Sequence, residues 1–177
     1  MGSRQHGITL LEILAACAVV AIVAALAVPA FGELQRNARR TAQVNAMVRS
    51  LHQARSTAIL RAVPVVVCKS STGWQCTPQA PGWSSGYIVF VNTDRDSPPQ
   101  VDRGEPVLHV EPRIEGLAVN ANRDALTYWP VSMAGTTASI VFCDERGAAA
   151  ARAIIISHTG RPRISQRDAA GKPIRCP

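Results

Sequence analysis

The sequence predicts an α+β fold in which one long N-terminal helix packs on a small antiparallel β-sheet head. Three observations point there. An almost unbroken apolar run extends from Ile8 to Phe31. An apolar stripe at helical spacing follows it. The remainder consists of short Val- and Ile-rich segments bounded by Gly, Pro, Asn and Asp, a pattern of strands and turns. At 177 residues the chain has the size of one domain plus an appendage.

The apolar run is interrupted only by Thr9, Glu12 and the small Cys17. About 20 apolar residues span a bilayer as a helix. Residues 1–7 precede it, with Arg4 as their one fixed charge. Three readings compete: a secretory signal peptide cut near Ala25-Leu26-Ala27, a plain membrane anchor, or a short leader cleaved just ahead of the run. Glu12 selects the third. A carboxylate inside a membrane segment costs about 3 kcal/mol or more and is rare without a function.

The residues Gly7-Ile8-Thr9-Leu10-Leu11-Glu12 resemble the prepilin cleavage motif. The resemblance implies that an inner-membrane prepilin peptidase cuts after Gly7 and methylates the new amino group of Ile8. It implies that Glu12 then meets the amino terminus of a neighbouring subunit in the apolar filament core, which supplies the counter-charge. Ile8 departs from the commoner phenylalanine. Pro29, which lacks a backbone donor and loosens a helix, is similar to a proline that such pilins carry nearby. The implied organisation is a leader over 1–7, a transmembrane and filament-core helix over 8–31, an amphipathic helix over 32–62 and a periplasmic head over 63–177. Other major and minor pilins or pseudopilins are the implied partners.

In the second helical half, Val44, Met47, Val48, Leu51, Ala58 and Ala62 form the stripe that covers one face of the sheet. Arg55 interrupts it, and is expected to snorkel or to pair with an acid of the head. Arg36, Arg39 and Arg40 follow the apolar run and either anchor it at the membrane surface or, since they lie on the outer side against a simple positive-inside rule, serve the assembled filament. Strands are expected over 63–69, 86–92, 105–110, 114–119, 126–131, 137–143 and 152–158. The segment from Asn92 to Gly104 is the most loop-like.

Charge is distributed unevenly. Residues 32–62 carry six arginines against Glu33, and residues 146–177 carry seven basic groups against Asp168, while the middle is mildly acidic. Of five cysteines, Cys17 lies in the apolar run and is expected to stay free. The other four allow three pairings. Cys68 and Cys76 flank a turn, Ser70-Ser71-Thr72-Gly73, and Cys176 ends a polar tail that a bridge to Cys143 would pin. An export signal ahead of them favours an oxidising compartment and these two disulfides.

No catalytic constellation is present. The four histidines are scattered without metal-ligand spacing, and there is no P-loop, dinucleotide fingerprint or HExxH. Asn92, Asp94 and Asp96 alternate as calcium loops do, with Asp102 nearby, but the glycine and the terminal glutamate of such loops are missing. An acidic solvated loop is therefore expected, with no metal, no cofactor and no enzymatic activity.

Within the head, Val65-Val66-Val67-Cys68-Lys69-Ser70-Ser71, Gly73, Cys76, Trp83 and Gly86-Tyr87-Ile88-Val89-Phe90-Val91 resemble the GspH/FimT family of minor pilins and pseudopilins. So do Phe142-Cys143, Ile154-Ile155-Ile156-Ser157 and Gly160-Arg161-Pro162-Arg163. The resemblance implies a non-catalytic subunit near a filament tip that helps to start assembly. It leaves two branches open: a type IV pilus protein that binds double-stranded DNA for uptake in natural transformation, and a pseudopilin of type II secretion that binds none. Gly160-Arg161-Pro162-Arg163 resembles the glycine-arginine-any-arginine motif of the DNA-binding branch. Two arginines two positions apart point to one side of an extended chain. Arg167, Lys172 and Arg175 follow, and complete the expected DNA-binding surface.

Overall fold

The computed structural model describes residues 9–130 and 135–176, without the side chains of residue 26 and residues 28–30. One helix, α1 (Leu10–Arg61), is followed by eight strands: β1 (Val65–Lys69), β2 (Tyr87–Val91), β3 (Val107–Glu111), β4 (Ala118–Ala121), β5 (Ala125–Tyr128), β6 (Ala138–Cys143), β7 (Arg152–Ile156) and β8 (Pro162–Ser165). The chain divides into two compact units, residues 1–39 and 40–177.

The first unit is the N-terminal part of α1. Thr9 caps the helix by accepting the Glu12 N–H on Oγ1 at 3.3 Å, and Glu12 lies in the first turn, where its negative charge complements the positive end of the helix dipole. Leu10, Leu11, Ile13, Leu14, Val19, Val20, Ile22 and Val23 are exposed along this part. Among the described residues no helix is long and apolar enough to cross a membrane.

The second unit is built on two antiparallel sheets, ordered β3-β2-β1-β5 and β4-β6-β7-β8. The helical stripe forms one core with an inner face of each sheet. Val44, Met47, Leu51, Ala54 and Ala58 pack with Val65, Val67, Tyr87 and Val89 of the first sheet and Ile140, Phe142, Ile154 and Ile156 of the second. Each fully buried side chain of this size contributes about 1.5–3 kcal/mol. Ala62, expected to extend the stripe, is instead exposed at φ 54, because the chain leaves the helix there in a left-handed turn.

The outer faces are covered too. Val66, Cys68, Ile88 and Phe90 form a second cluster with Cys76. Cys143, Ala151, Ala153 and Ile155 form a third with Ile174 of the tail. The two disulfides, Cys68–Cys76 and Cys143–Cys176, each hold a covering segment onto its sheet. This explains why β1 and β2 are apolar at successive positions rather than alternately. Cys17 is free and exposed.

Three further expectations need correction. The strand expected over 114–119 forms at 118–121, because Glu115 and Gly116 make a turn and the Ile114 N–H bonds the Ser84 carbonyl at 2.9 Å. Arg40, expected to anchor the helix at the membrane surface or to serve the filament, is only 5% exposed in the head. It donates to the Ala150 carbonyl and lies 3.8 Å from Asp144, which Arg146 also holds at 2.6 Å. The basic segment after Gly160, which lies beyond the last expected strand, contains a strand. Proline argues against a strand in sequence, yet Pro162 is tolerated here. Ser157 N bonds Arg161 O, so residue 162 falls at a position whose N–H would face away from β7.

Candidate functional site

Of the residues expected at the processing end, Gly7 and Ile8 lie outside the described residues. Glu12 is exposed at the start of α1, and Pro29 has helical backbone with no side chain described. The other expected site is the basic C-terminal region, and there the structure is informative.

The β7–β8 connection is a tight turn. Gly160 N donates to Ser157 O at 2.8 Å, and Gly160 has φ +71, a left-handed conformation that side chains disfavour. Gly135 N bonds His158 O, which ties the turn to the segment that pairs with Tyr128. Arg161 leaves this turn exposed, and Arg163 follows on β8 directly opposite Ile155. Ile155 belongs to the outer-face cluster, so the alternation of the strand puts Arg161 and Arg163 on that same outer face.

The tail returns to this face. Residues 167–173 form a small hairpin in which Asp168 N bonds Lys172 O and the Asp168 carboxylate accepts the Ala170 and Lys172 N–H groups. Arg167 Nη1 donates to the Gly171 carbonyl at 2.9 Å, so part of its donor capacity closes the hairpin. Lys172 and Arg175 are exposed, on either side of the buried Ile174. Ile174 packs in one cluster with Ile155, the neighbour of Arg163. The outer face of the second sheet thus carries Arg161 from the turn and Arg163 from β8, with Lys172 and Arg175 from the tail. Arg175 also borders a shallow groove of about 360 Å³ with Asn120, Asn122, Ser139 and Val141. The two asparagines and Ser139 had no signal in the sequence, because only strand register brings them beside the tail.

Exposed cations carried on a fixed backbone are chemically suited to the phosphate oxygens of a polyanion. Exposed aromatic side chains for stacking are absent from the residues that form this surface.

The acidic loop is arranged differently. Glu105, which spacing alone does not group with the aspartates, brings its carboxylate within 4.8 Å of those of Asp94 and Asp102. The loop's own amides bond the Glu105 and Asp94 carboxylates, since Thr93, Asp94 and Asp102 donate to Glu105 and Asp96 donates to Asp94, while Gln100 donates to Asp96. Desolvation and the neighbouring Asp94, Asp96 and Glu105 charges raise the Asp102 pKa above its ordinary value. In contrast, the hydrogen bond from Arg146 lowers that of Asp144.

Comparison with known proteins bears on both ends of the chain. Residues 43–160 match the family described as Type II transport protein GspH, and residues 2–28 match the prokaryotic N-terminal methylation motif. The structure is similar to a crystal structure of the type IV minor pilin FimU of Pseudomonas aeruginosa strain PAO1. The two share 18% identity at a TM-score of 0.51, over 82% of this chain and 98% of that one. A second crystal form of the same minor pilin matches at 16% identity and a TM-score of 0.47, over 71% of this chain and 90% of that one. Comparison with proteins of curated function finds no match to this chain.

Proposed function

The chain belongs to the GspH family of minor pilins and pseudopilins, and from that membership we propose that it is a type IV pilus subunit whose basic face binds DNA. In this reading prepilin peptidase cleaves after Gly7 and methylates Ile8. The helix over residues 8–31 holds the protein in the inner membrane until assembly, with the head in the periplasm. Glu12 and Pro29 then act in docking beside other pilins, and the subunit takes part in filament initiation at or near the tip. The head binds double-stranded DNA without sequence preference and serves uptake.

One observation carries the DNA reading. Arg161, Arg163, Lys172 and Arg175 stand exposed around a single buried cluster, on a surface stitched by β7–β8 pairing and by the Cys143–Cys176 bridge. A solvated tail kept only for solubility needs neither the bridge nor the hairpin.

The test is a mobility shift of the purified protein with duplex DNA at low salt, repeated for Arg161→Ala with Arg163→Ala. Binding that the double substitution removes supports the proposal. A second reading, a pseudopilin of type II secretion, draws on the family's own description as a transport protein. It takes first place if wild-type protein does not shift DNA.

A further inference from the structure

The two sheets of the head have four edges; two are covered and a third carries a proline. On β5, Thr136 N bonds Thr127 O, and Tyr128 bridges to Gly135. On β4, the segment at Gly82 approaches so closely that a Cβ there would lie 3.0 Å from the Val119 carbonyl oxygen. On β8, Pro162 turns its missing donor outward between two arginines, an arrangement that discourages strand addition. The fourth edge, β3, contains no proline and is only partly buried. Among the described residues, no backbone hydrogen bond from outside β2 reaches Val107–Glu111.

The register shows which groups of β3 are open. Ser70 N bonds Gly86 O across the β1–β2 ladder, so Ile88 and Phe90 of β2 face β1 while Tyr87 and Val89 face β3. Their partners Glu111 and His109 are therefore bonded inward. Val110, opposite Ile88, points its N–H and C=O away from the sheet.

We propose that this edge pairs antiparallel with β3 of a second copy of the chain, about a two-fold axis at Val110. Val110 of each copy then exchanges both backbone hydrogen bonds with Val110 of the other. One position away on either side, His109 of each copy comes opposite Glu111 of its mate. Within one chain His109 and Glu111 already meet at 3.3 Å, so both project to the same face and the pairing produces an alternating set of two imidazoles and two carboxylates. Any other register that keeps Val110 bonded loses this match. On the opposite face the pairing covers Val110, 45% exposed, and the neighbourhood of Trp74, 64% exposed. Gly73 packs against Val110 closely enough that a Cβ there would lie 3.3 Å from its Cγ1, which places the Trp74 segment beside the axis. The irregularity between Val107 and His109, and Pro112 beyond the strand, keep the ladder short, so the pairing is reversible rather than permanent.

The full chain in detergent micelles is examined by sedimentation across a concentration series. A monomer–dimer equilibrium is expected. Val110→Pro removes the outward N–H and leaves the β2 ladder intact, and should weaken the dimer at least tenfold, whereas Val110→Thr should retain it. Glu111→Arg, which does not touch the backbone, should weaken it similarly and keeps the question open if Val110→Pro fails to fold. Exchanging the pair, His109→Glu with Glu111→His, should restore dimerisation, since the imidazole–carboxylate contact across the axis survives the exchange only in this register. The proposal is overturned by a monomer at every concentration, or by a dimer indifferent to Val110→Pro or to Glu111→Arg. It is equally overturned if the exchanged pair dimerises as poorly as Glu111→Arg.

Discussion

The ring of Tyr128 fills the space that a side chain at residue 160 would need: a Cβ on Gly160 would lie 2.9 Å from Tyr128 Cε1 and 3.2 Å from Cδ1. Gly135 is squeezed by the same ring, at 3.0 Å. The end of β5 in one sheet therefore fixes the β7–β8 turn of the other, and with it the point from which Arg161 departs. This gives the glycine of the Gly160-Arg161-Pro162-Arg163 sequence two separate reasons to be there, steric room and a left-handed φ.

Gly160→Ala should accordingly destabilise the head by about 1–3 kcal/mol, from backbone strain and the clash together. Urea denaturation checks it. Combining Gly160→Ala with Tyr128→Ala should recover part of the clash, a coupling of about 0.5 kcal/mol or more in a double-mutant cycle. Additive effects would show that the ring and the turn are independent.

Cys143→Ser with Cys176→Ser opens a loop whose ends are 33 residues apart in sequence. The expected loss is about 3–4 kcal/mol in the chain-entropy model. Ile174 should leave its cluster, and amide exchange in β7 should rise while β1 stays protected. DNA affinity should fall as well, because Lys172 and Arg175 lose their fixed positions.

Asp144 sets an acid dependence. Hydrogen bonds from Arg146 lower its folded-state pKa below the ordinary 3.8. A depressed carboxylate stabilises the fold above its unfolded value, and that contribution disappears as pH falls through the folded one. Asp144→Asn should therefore be less stable than the wild type near neutrality, where it removes the carboxylate charge that Arg40 and Arg146 share. The difference should shrink below about pH 4. Thermal melts of both proteins over that range decide the point. A constant difference would exclude Asp144 ionisation as its source.

Salt titration tests how DNA is held. With about three to five phosphates neutralised, log affinity should fall against log salt at roughly −0.9 per phosphate. Removing Arg161 and Arg163 should reduce that slope by about two phosphates and leave the melting temperature nearly unchanged. A flat salt response would point away from phosphate contacts.

At the other end, the mature protein should begin at a methylated Ile8 by mass spectrometry. Gly7→Ala should block cleavage, whereas Glu12→Ala should allow cleavage but impair incorporation into filaments. A mature N-terminus at Val28 would restore the signal-peptide reading.

Sequence alone determined the long helix, the apolar stripe from Val44 to Ala58 and most strand positions, because each depends on local period and composition. It also marked Cys68 and Cys76 as neighbours around a turn. It could not show that Arg40 is buried beside Asp144, since those residues are distant in sequence and the arginine looks like its exposed neighbours. It could not show β8, because Pro162 reads as a break until the register turns its nitrogen to the outside. Nor could it place Tyr128 over Gly160, or leave β3 as the edge with neither cover nor proline. Those facts follow from which strands lie side by side, and pairing between distant segments is decided by burial of both sheet faces at once rather than by any local run of residues.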